Sequence, residues 1–417
     1  MANTNYKMFD RFAAKSIADA LADTSVVMLI GPRGCGKTTT VREFISEERE
    51  YLTLDDDTLR DAARYDPTGF VRGLGSVIID EVQRAPELLL AIKQAVEDGQ
   101  RPGQFLLTSS TDIVHLQNLP ESLAGRMEII TLLPLSRAEI EGKTPSFLYA
   151  AFSGELVEPP FKLIGSELLQ TVVAGGYPEM LRRRESRRQA WAQDYVRDLV
   201  ERDVREIAGV EKVDQIQRLI ETLATHSGQL TNFSGIGNEL GIDDKTTQKY
   251  TAILEQLFLV RRIPAWFQSR LGRLVKTPKL HFLDSGLQVA LLGLKSEKIA
   301  KNRGAYGALL QTFVLSEIMK QMTWSDEIYA VNHYRDKDRD EVDFLVEDEG
   351  GALVGIDVKP AATVYAVDFK GLRKVQSICG DSLKLGVVLY DGTKTVAFGD
   401  RLFAAPISCL WGCERSS

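Results

Sequence analysis

The sequence predicts an α/β protein, with a parallel sheet in its N-terminal part, a helical middle and a smaller α/β domain at the C-terminal end. Three observations carry this. Val26–Ile30 is a short, partly β-branched apolar run, the pattern of a strand buried on both faces of a parallel sheet, and it feeds a glycine-rich turn and a helical stretch. Ser76-Val-Ile-Ile-Asp80-Glu81 is a second apolar strand and ends in two carboxylates. Arg339–Glu347 and Ala352–Lys359 alternate polar and apolar on either side of Gly350 and Gly351, as half-buried strands of a hairpin do.

The chain has 417 residues, more than one hydrophobic core supports, so several domains are expected. The boundaries read from the pattern are 1–160, 161–218, 219–290 and 291–417. The net charge of −7 does not suit a general nucleic-acid binder, so any such role must rest on local patches. Cys35, Cys379, Cys409 and Cys413 show no C-x-x-C spacing, and His115, His226, His281 and His333 are scattered. Neither a structural zinc site nor a disulfide framework is expected, and a reducing cytoplasm is the default. No apolar run approaches the roughly 20 residues of a spanning helix, and the N-terminus lacks a signal core.

The first turn is Gly31-Pro32-Arg33-Gly34-Cys35-Gly36-Lys37-Thr38-Thr39, the pattern G-x-x-x-x-G-K-T between a strand and a helix, which predicts a P-loop NTPase sheet. Glycines let successive backbone N–H groups close around phosphate oxygens, and the following helix start, expected near Thr40, favours negative charge. Lys37 is expected to reach the β/γ-phosphates of ATP, and the Thr38 hydroxyl to join the Mg2+ shell. Asp80, at the end of its strand, would hold the same Mg2+, and Glu81 would orient the attacking water. Glu50–Asp55 and Gln104–Ser110 fit as further strands. The second ends in Ser109 and Ser110, so that Ser110 either senses the γ-phosphate or water, or caps a turn. Arg126, before the strand that begins at Met127, either senses the γ-phosphate, in its own chain or in an oligomeric neighbour, or lies on the solvated surface.

From Leu163 to Leu223 the pattern is helical. Arg182, Arg183, Arg184, Arg187 and Arg188 form either a solvated face laced with ion pairs or a phosphate-facing patch. Between 219 and 290, two short helices precede two strands, near Leu257–Ile263 and Lys279–Leu283. That is a winged-helix pattern, with Lys245, Thr246, Gln248 and Lys249 at the groove-facing start of its second helix. From Gln256 to Leu283 there is no Asp or Glu, against Arg261, Arg262, Arg270, Arg273, Lys276 and Lys279. This concentration points to DNA, although winged helices also dock proteins or act as internal switches.

A hairpin turning about Gly350 sets Asp343 opposite Asp357, with Cβ atoms about 5 Å apart, and places Lys359 on the same face as Asp357. Like charges so placed repel unless a cation lies between them. Two acids and a lysine in this arrangement resemble the Asp…(Asp/Glu)-x-Lys site of the PD-(D/E)XK nuclease fold, which implies metal binding by Asp343 and Asp357 and a water-positioning role for Lys359. The family usually has glutamate at the second acid. The helix expected over Gly304–Met322 would add an acid, but Gln311 stands at the aligned position and Glu317 lies six residues on.

GPRGCGKT, IIDEVQ, LLTSS and LAGR followed by LLPLS resemble the AAA-type P-loop ATPases of bacteria and archaea, more specifically the group fused to domain of unknown function 4143. GGYPE, ERDVREI, TTQKYTAILEQLFLVRR, KTPKLHFLDSGL and EVDFLVE…GIDVK match as well, so the resemblance spans nearly the whole chain. It implies an ATPase core, a DNA-binding-like middle and a nuclease-like end. Two functions are expected from different classes. One is an ATPase that drives a nuclease-like tail on DNA. The other is a nucleotide-dependent switch whose tail is catalytically silent.

Overall fold

The computed structural model describes residues 9–99, 101–112, 125–156, 159, 161, 163–204, 213–267 and 277–412. His115, Leu123, Ala124, Arg205, Glu206, Ile207, Arg270, Arg273, Lys276 and Cys413, all singled out above, lie outside them. The chain forms two compact units, Met1–Leu135 with Gln256–Phe258, and Ser136–Glu255 with Leu259–Ser417. Among the described residues no helix is long and apolar enough to cross a membrane.

In the first unit five strands form one parallel sheet: β1 (Val26–Ile30), β2 (Arg49–Thr53), β3 (Ser76–Asp80), β4 (Phe105–Ser109) and β5 (Met127–Thr131), in the order β2-β3-β4-β1-β5. Every residue of β1 and β4 is buried, as expected of apolar runs covered on both faces. The helix Ala13–Asp23 buries Ala13, Ile17 and Ala20, an i, i+4, i+7 stripe, in a cluster with Val27, Leu29 and Ile130. Because the sheet is parallel, the carboxyl ends of β1, β3 and β4 deliver the glycine-rich turn, Asp80–Glu81 and Ser109–Ser110 to one edge, where open α/β sheets bind ligands. The helix after the turn runs from Lys37 to Arg42, three residues earlier than the pattern suggested, because the last residues of the turn already form its first helical turn.

The second unit opens with helices that include Gly165–Ala174 and Glu185–Asp198. There follow the helix Val213–His226, β6 (Gln229–Leu230), the helices Phe233–Leu240 and Asp244–Gln256, β7 (Val260–Ile263) and β8 (Lys279–Phe282). These strands pair antiparallel in the order β6-β8-β7.

The helix Arg303–Thr323 then leads into β9 (Tyr329–Arg335), β10 (Glu341–Asp348), β11 (Leu353–Lys359), β12 (Leu383–Tyr390), β13 (Val396–Gly399) and β14 (Leu402–Pro406). They form a mixed sheet in the order β13-β14-β12-β11-β10-β9. The pairs Phe344 with Ile356, Leu345 with Gly355, Val346 with Val354 and Glu347 with Leu353 give the register expected of a hairpin turning about Gly350. Backbone bonds join β9 to the segment after β7: Trp266 N–H donates to His333 O (2.7 Å) and His333 N–H to Pro264 O (2.9 Å).

Candidate functional site

Gly31 leaves β1 so close to the next strand connection that a Cβ there would meet the Leu132 carbonyl oxygen at 2.0 Å. Only glycine fits. Gly34 and Gly36 have φ of 74° and 111°, which glycine adopts without strain. Pro32 and Cys35 are buried, Gly34 and Thr39 are exposed, and Arg33 is half-buried. The Cys35 thiol donates to Leu132 O (3.2 Å). Arg11, which no motif singled out, is buried and donates to Cys35 O and Leu133 O, 2.7 Å each, tying the turn to the chain beyond β5.

Lys37 is 4% exposed and its ammonium donates to the Gly31 and Pro32 carbonyls (2.9 and 3.0 Å), so the loop's own oxygens occupy its head. The Thr38 hydroxyl donates to Asp80 Oδ2 at 2.9 Å. The same oxygen accepts from Tyr51 OH (2.7 Å), and Oδ1 accepts from Thr108 Oγ1 (2.5 Å). Burial, followed by the hydrogen bond to the Asp80 carboxylate, pushes the Tyr51 phenol above its ordinary range, so it stays a donor. A hydroxyl and a carboxylate are hard oxygen donors that suit Mg2+.

Glu81 adopts φ 62°, a left-handed conformation that costs a non-glycine residue on the order of 1 kcal/mol or more. Its N–H donates to Thr108 Oγ1 (2.9 Å), which so bridges Asp80 and Glu81. Its carboxylate accepts from Gln83 Nε2 (2.5 Å) and from Ser110 Oγ (3.1 Å), and Gln83 also reaches Ser110 Oγ (2.7 Å). Ser110 therefore faces Glu81, whereas Ser109 bonds Thr111 within its own turn. Tyr51, Thr108 and Gln83 were missed in the sequence. The first two lie near strand ends at the loop edge, a position that is readable once the strands are aligned.

Arg126 does not join this group. It precedes β5 at the amino end of the sheet, where its carbonyl accepts from Val26 N–H, and it pairs with Glu97 at 3.2 Å. The five residues of β1 separate that end from the turn by about 13 Å. Sensing of the γ-phosphate within its own chain is excluded by this placement.

In the second unit Asp343, Asp357, Lys359 and Gln311 line one cavity of about 330 Å3. The acids face each other and bond across the hairpin: Asp343 N–H donates to Asp357 Oδ1 (3.1 Å), and Val358 N–H to Asp343 Oδ2 (3.0 Å). Both are 5% exposed. Burial raises both pKa values, Asp357 most, and the neighbouring Asp343 charge adds to its shift. Lys359 is partly exposed and lies 3.8 Å from Asp368.

The residues around the pair do not fit a divalent metal. Asp343 Oδ1 accepts from the Gln311 amide (2.8 Å) and faces the Lys279 ammonium (3.5 Å). Glu317 lies elsewhere, accepting from Arg137 N–H and Lys320 Nζ, 2.8 Å each. Among the described residues no group of three His, Cys, Asp or Glu is arranged to hold a metal. Asp343 and Asp357 come together as expected, but with an ammonium and an amide, rather than a third acid, against Asp343.

The basic stretch also changes meaning. Lys279 is 5% exposed and unavailable to a phosphate backbone, and Arg262 is bound to Glu255 (2.5 and 2.6 Å). Lys245, Gln248 and Lys249 are exposed, while Thr246 bonds back to Asp243. In the arginine cluster, Arg182 and Arg183 pair with Glu179, and Arg188 donates to the Met180 and Arg183 carbonyls.

Residues 23–141 match the family described as AAA domain, residues 165–298 a Domain of unknown function (DUF8612) and residues 306–410 a Domain of unknown function (DUF4143). Uncharacterized proteins of Mycobacterium bovis and Mycobacterium tuberculosis are each 27% identical over 402 residues, covering 95% of this chain and 83% of their own. One of Haemophilus influenzae is 26% identical over 222 residues, covering 52% of this chain and 51% of its own. Among solved structures, a Walker-type ATPase of Pyrococcus abyssi is similar with a TM-score of 0.42 and 15% identity, over 68% of this chain and 96% of that one. Thermotoga maritima RuvB is similar with a TM-score of 0.29 and 18% identity, over 60% and 89%.

Two predictions follow from the geometry. Thr108→Val removes the oxygen that satisfies both Asp80 and the Glu81 N–H, and should cost about 1–3 kcal/mol in urea unfolding. An unchanged midpoint would refute the bridge. In the second unit, burial with the Lys279 charge nearby pushes the imidazoles of His281 and His333 down to about 3 and about 4. Unfolded imidazoles titrate near 6.5. The stability they contribute is thus fully present above that pH and is lost as the pH falls toward 3, because only the unfolded chain takes up the protons. The urea midpoint of wild type should fall relative to that of His281→Leu from pH 7 to pH 4.5, and a constant difference would contradict neutral burial.

Proposed function

From an AAA domain over residues 23–141 and a Domain of unknown function (DUF4143) over residues 306–410, we propose that the chain is an AAA-type P-loop ATPase that hydrolyses ATP with Mg2+ and uses the cycle to control a DNA-contacting second unit. The observation that carries the ATPase reading is the 2.9 Å contact of the Thr38 hydroxyl with Asp80, one residue before Glu81. Lys37, released from the Gly31 and Pro32 carbonyls, would bind the β- and γ-phosphates, and the backbone of Gly34–Lys37 would line the rest of the phosphate tail. Thr38 and Asp80 would hold Mg2+, which neutralises charge on the phosphate oxygens. Glu81 would take the proton of the attacking water once its carboxylate leaves Gln83 and Ser110. Ser110 would remain beside the water, and Arg126 would act on a neighbouring subunit.

The order helix, strand, helix, helix, strand, strand over Val213–Phe282 supports a winged-helix reading. Lys245, Gln248 and Lys249, exposed at the start of the helix Asp244–Gln256, then form the face toward DNA. A second reading, the nucleotide-dependent switch with a silent C-terminal domain, is favoured by the contacts of Lys279 and Gln311 with Asp343.

Lys37→Ala should abolish ATP binding in calorimetry. Glu81→Gln should keep binding while turnover falls by about 10²–10⁴-fold, and a fully active Glu81→Gln protein would refute the assignment of the base. For DNA, the double variant Lys245→Ala/Lys249→Ala should weaken binding of duplexes of any sequence and lower the slope of log affinity against log salt by about 2. An unchanged slope would exclude that face.

A further inference from the structure

At the C-terminal centre the acid pair faces a cation that the chain itself supplies. Lys279 belongs to β8, every residue of which is buried, and its ammonium lies between Asp343 Oδ1 (3.5 Å) and Glu341 Oε2 (3.7 Å). A buried lysine is rare without a partner, because an isolated ammonium is strongly disfavoured away from water. Asp343 has the matching problem, with only 5% exposure and a second carboxylate opposite. Its oxygens are met from three directions: by Lys279, by the Gln311 amide and by Val358 N–H. Gln311 turns its NH2 toward Asp343, and this end of the amide donates a hydrogen bond but cannot ligate a metal. Glu341, a further acid lining the same cavity, is shared with Arg335 at 3.7 Å.

We propose that Lys279 is the resident counter-ion of the Asp343–Asp357 pair, so that this centre is a metal-free ionic clasp that fastens the β6-β8-β7 sheet to the C-terminal sheet. The clasp adds to a backbone junction already present, since Trp266 and His333 bond across the same two sheets. His281 and His333 belong to the same buried polar layer: both ring nitrogens of His281 and Nδ1 of His333 have no hydrogen-bond partner among the described residues. A divalent ion beside Asp343 would be repelled by the ammonium. The inference deepens the silent-domain reading and stands or falls independently of ATP hydrolysis.

The test uses the full chain in an Asp80→Asn background, which removes the carboxylate of the first unit's candidate metal site, with Mn2+ alone as the probe. Titration calorimetry should detect no Mn2+ binding that Asp357→Asn abolishes. A site present with Asp357 and lost in Asp357→Asn would overturn the proposal. Removing Lys279 and restoring the acid, as Lys279→Ala/Gln311→Glu, should create one Mn2+ site that Asp357→Asn removes again; no gain of Mn2+ in that variant, once folded, would count against the ammonium as the occupant. Where that variant does not fold, thermal unfolding of single and paired variants decides. Lys279→Met should lower the midpoint by roughly 6–10 °C, and Lys279→Met/Asp343→Asn should recover part of the loss. Additive losses, or a single variant as stable as wild type, would show that the two charges do not support each other.

Discussion

The carboxylate of Asp80 is the point on which the first unit depends. Its two oxygens accept from Thr38, Tyr51 and Thr108, and so bind together the turn after β1 and the strands β2, β3 and β4. Buried carboxylates persist only when hydrogen-bonded, and here the partners are three hydroxyls rather than cations. Hydroxyls leave the negative charge uncompensated, which is the condition for attracting a metal later. The same arrangement fixes Glu81, because Thr108 accepts its N–H while donating to Asp80. A left-handed backbone at Glu81 is thereby held in place by contacts outside the residue itself.

The second unit solves the problem of buried acid in the opposite way. Asp343 is compensated by an ammonium and an amide of the protein. Two buried strand acids thus have different chemistry according to what the neighbouring elements bring. Fold and motif alone do not decide between an open cation site and a closed ion pair.

Much of this was legible in the sequence. Apolar runs of three to five residues located β1, β3 and β4, since a strand covered on both faces needs no alternation. The turn at Gly350 fixed the register of β10 against β11, and with it the opposition of Asp343 and Asp357. What escaped were contacts between residues far apart in the chain. Lys279 was counted as a surface cation because a local charge tally does not know that β8 packs beneath Asp343, 64 residues on. In the sequence alone Arg126 stands between the phosphates and the solvated surface, because its distance from the turn depends on which end of β5 it occupies. Gln311 was singled out from its place on the helix, but whether its amide would meet Asp343 depended on how the helix Arg303–Thr323 lies against β11.

Arg11 and Cys35 have a consequence for affinity. Both are buried, and each bonds to a carbonyl just beyond β5, so the phosphate turn is framed by its own protein before a nucleotide arrives. The freedom of that segment is lost when the chain folds, not when ligand binds. Free energy released by the triphosphate therefore need not be diverted into ordering the turn; what must still be displaced is the grip of Lys37 on two peptide oxygens.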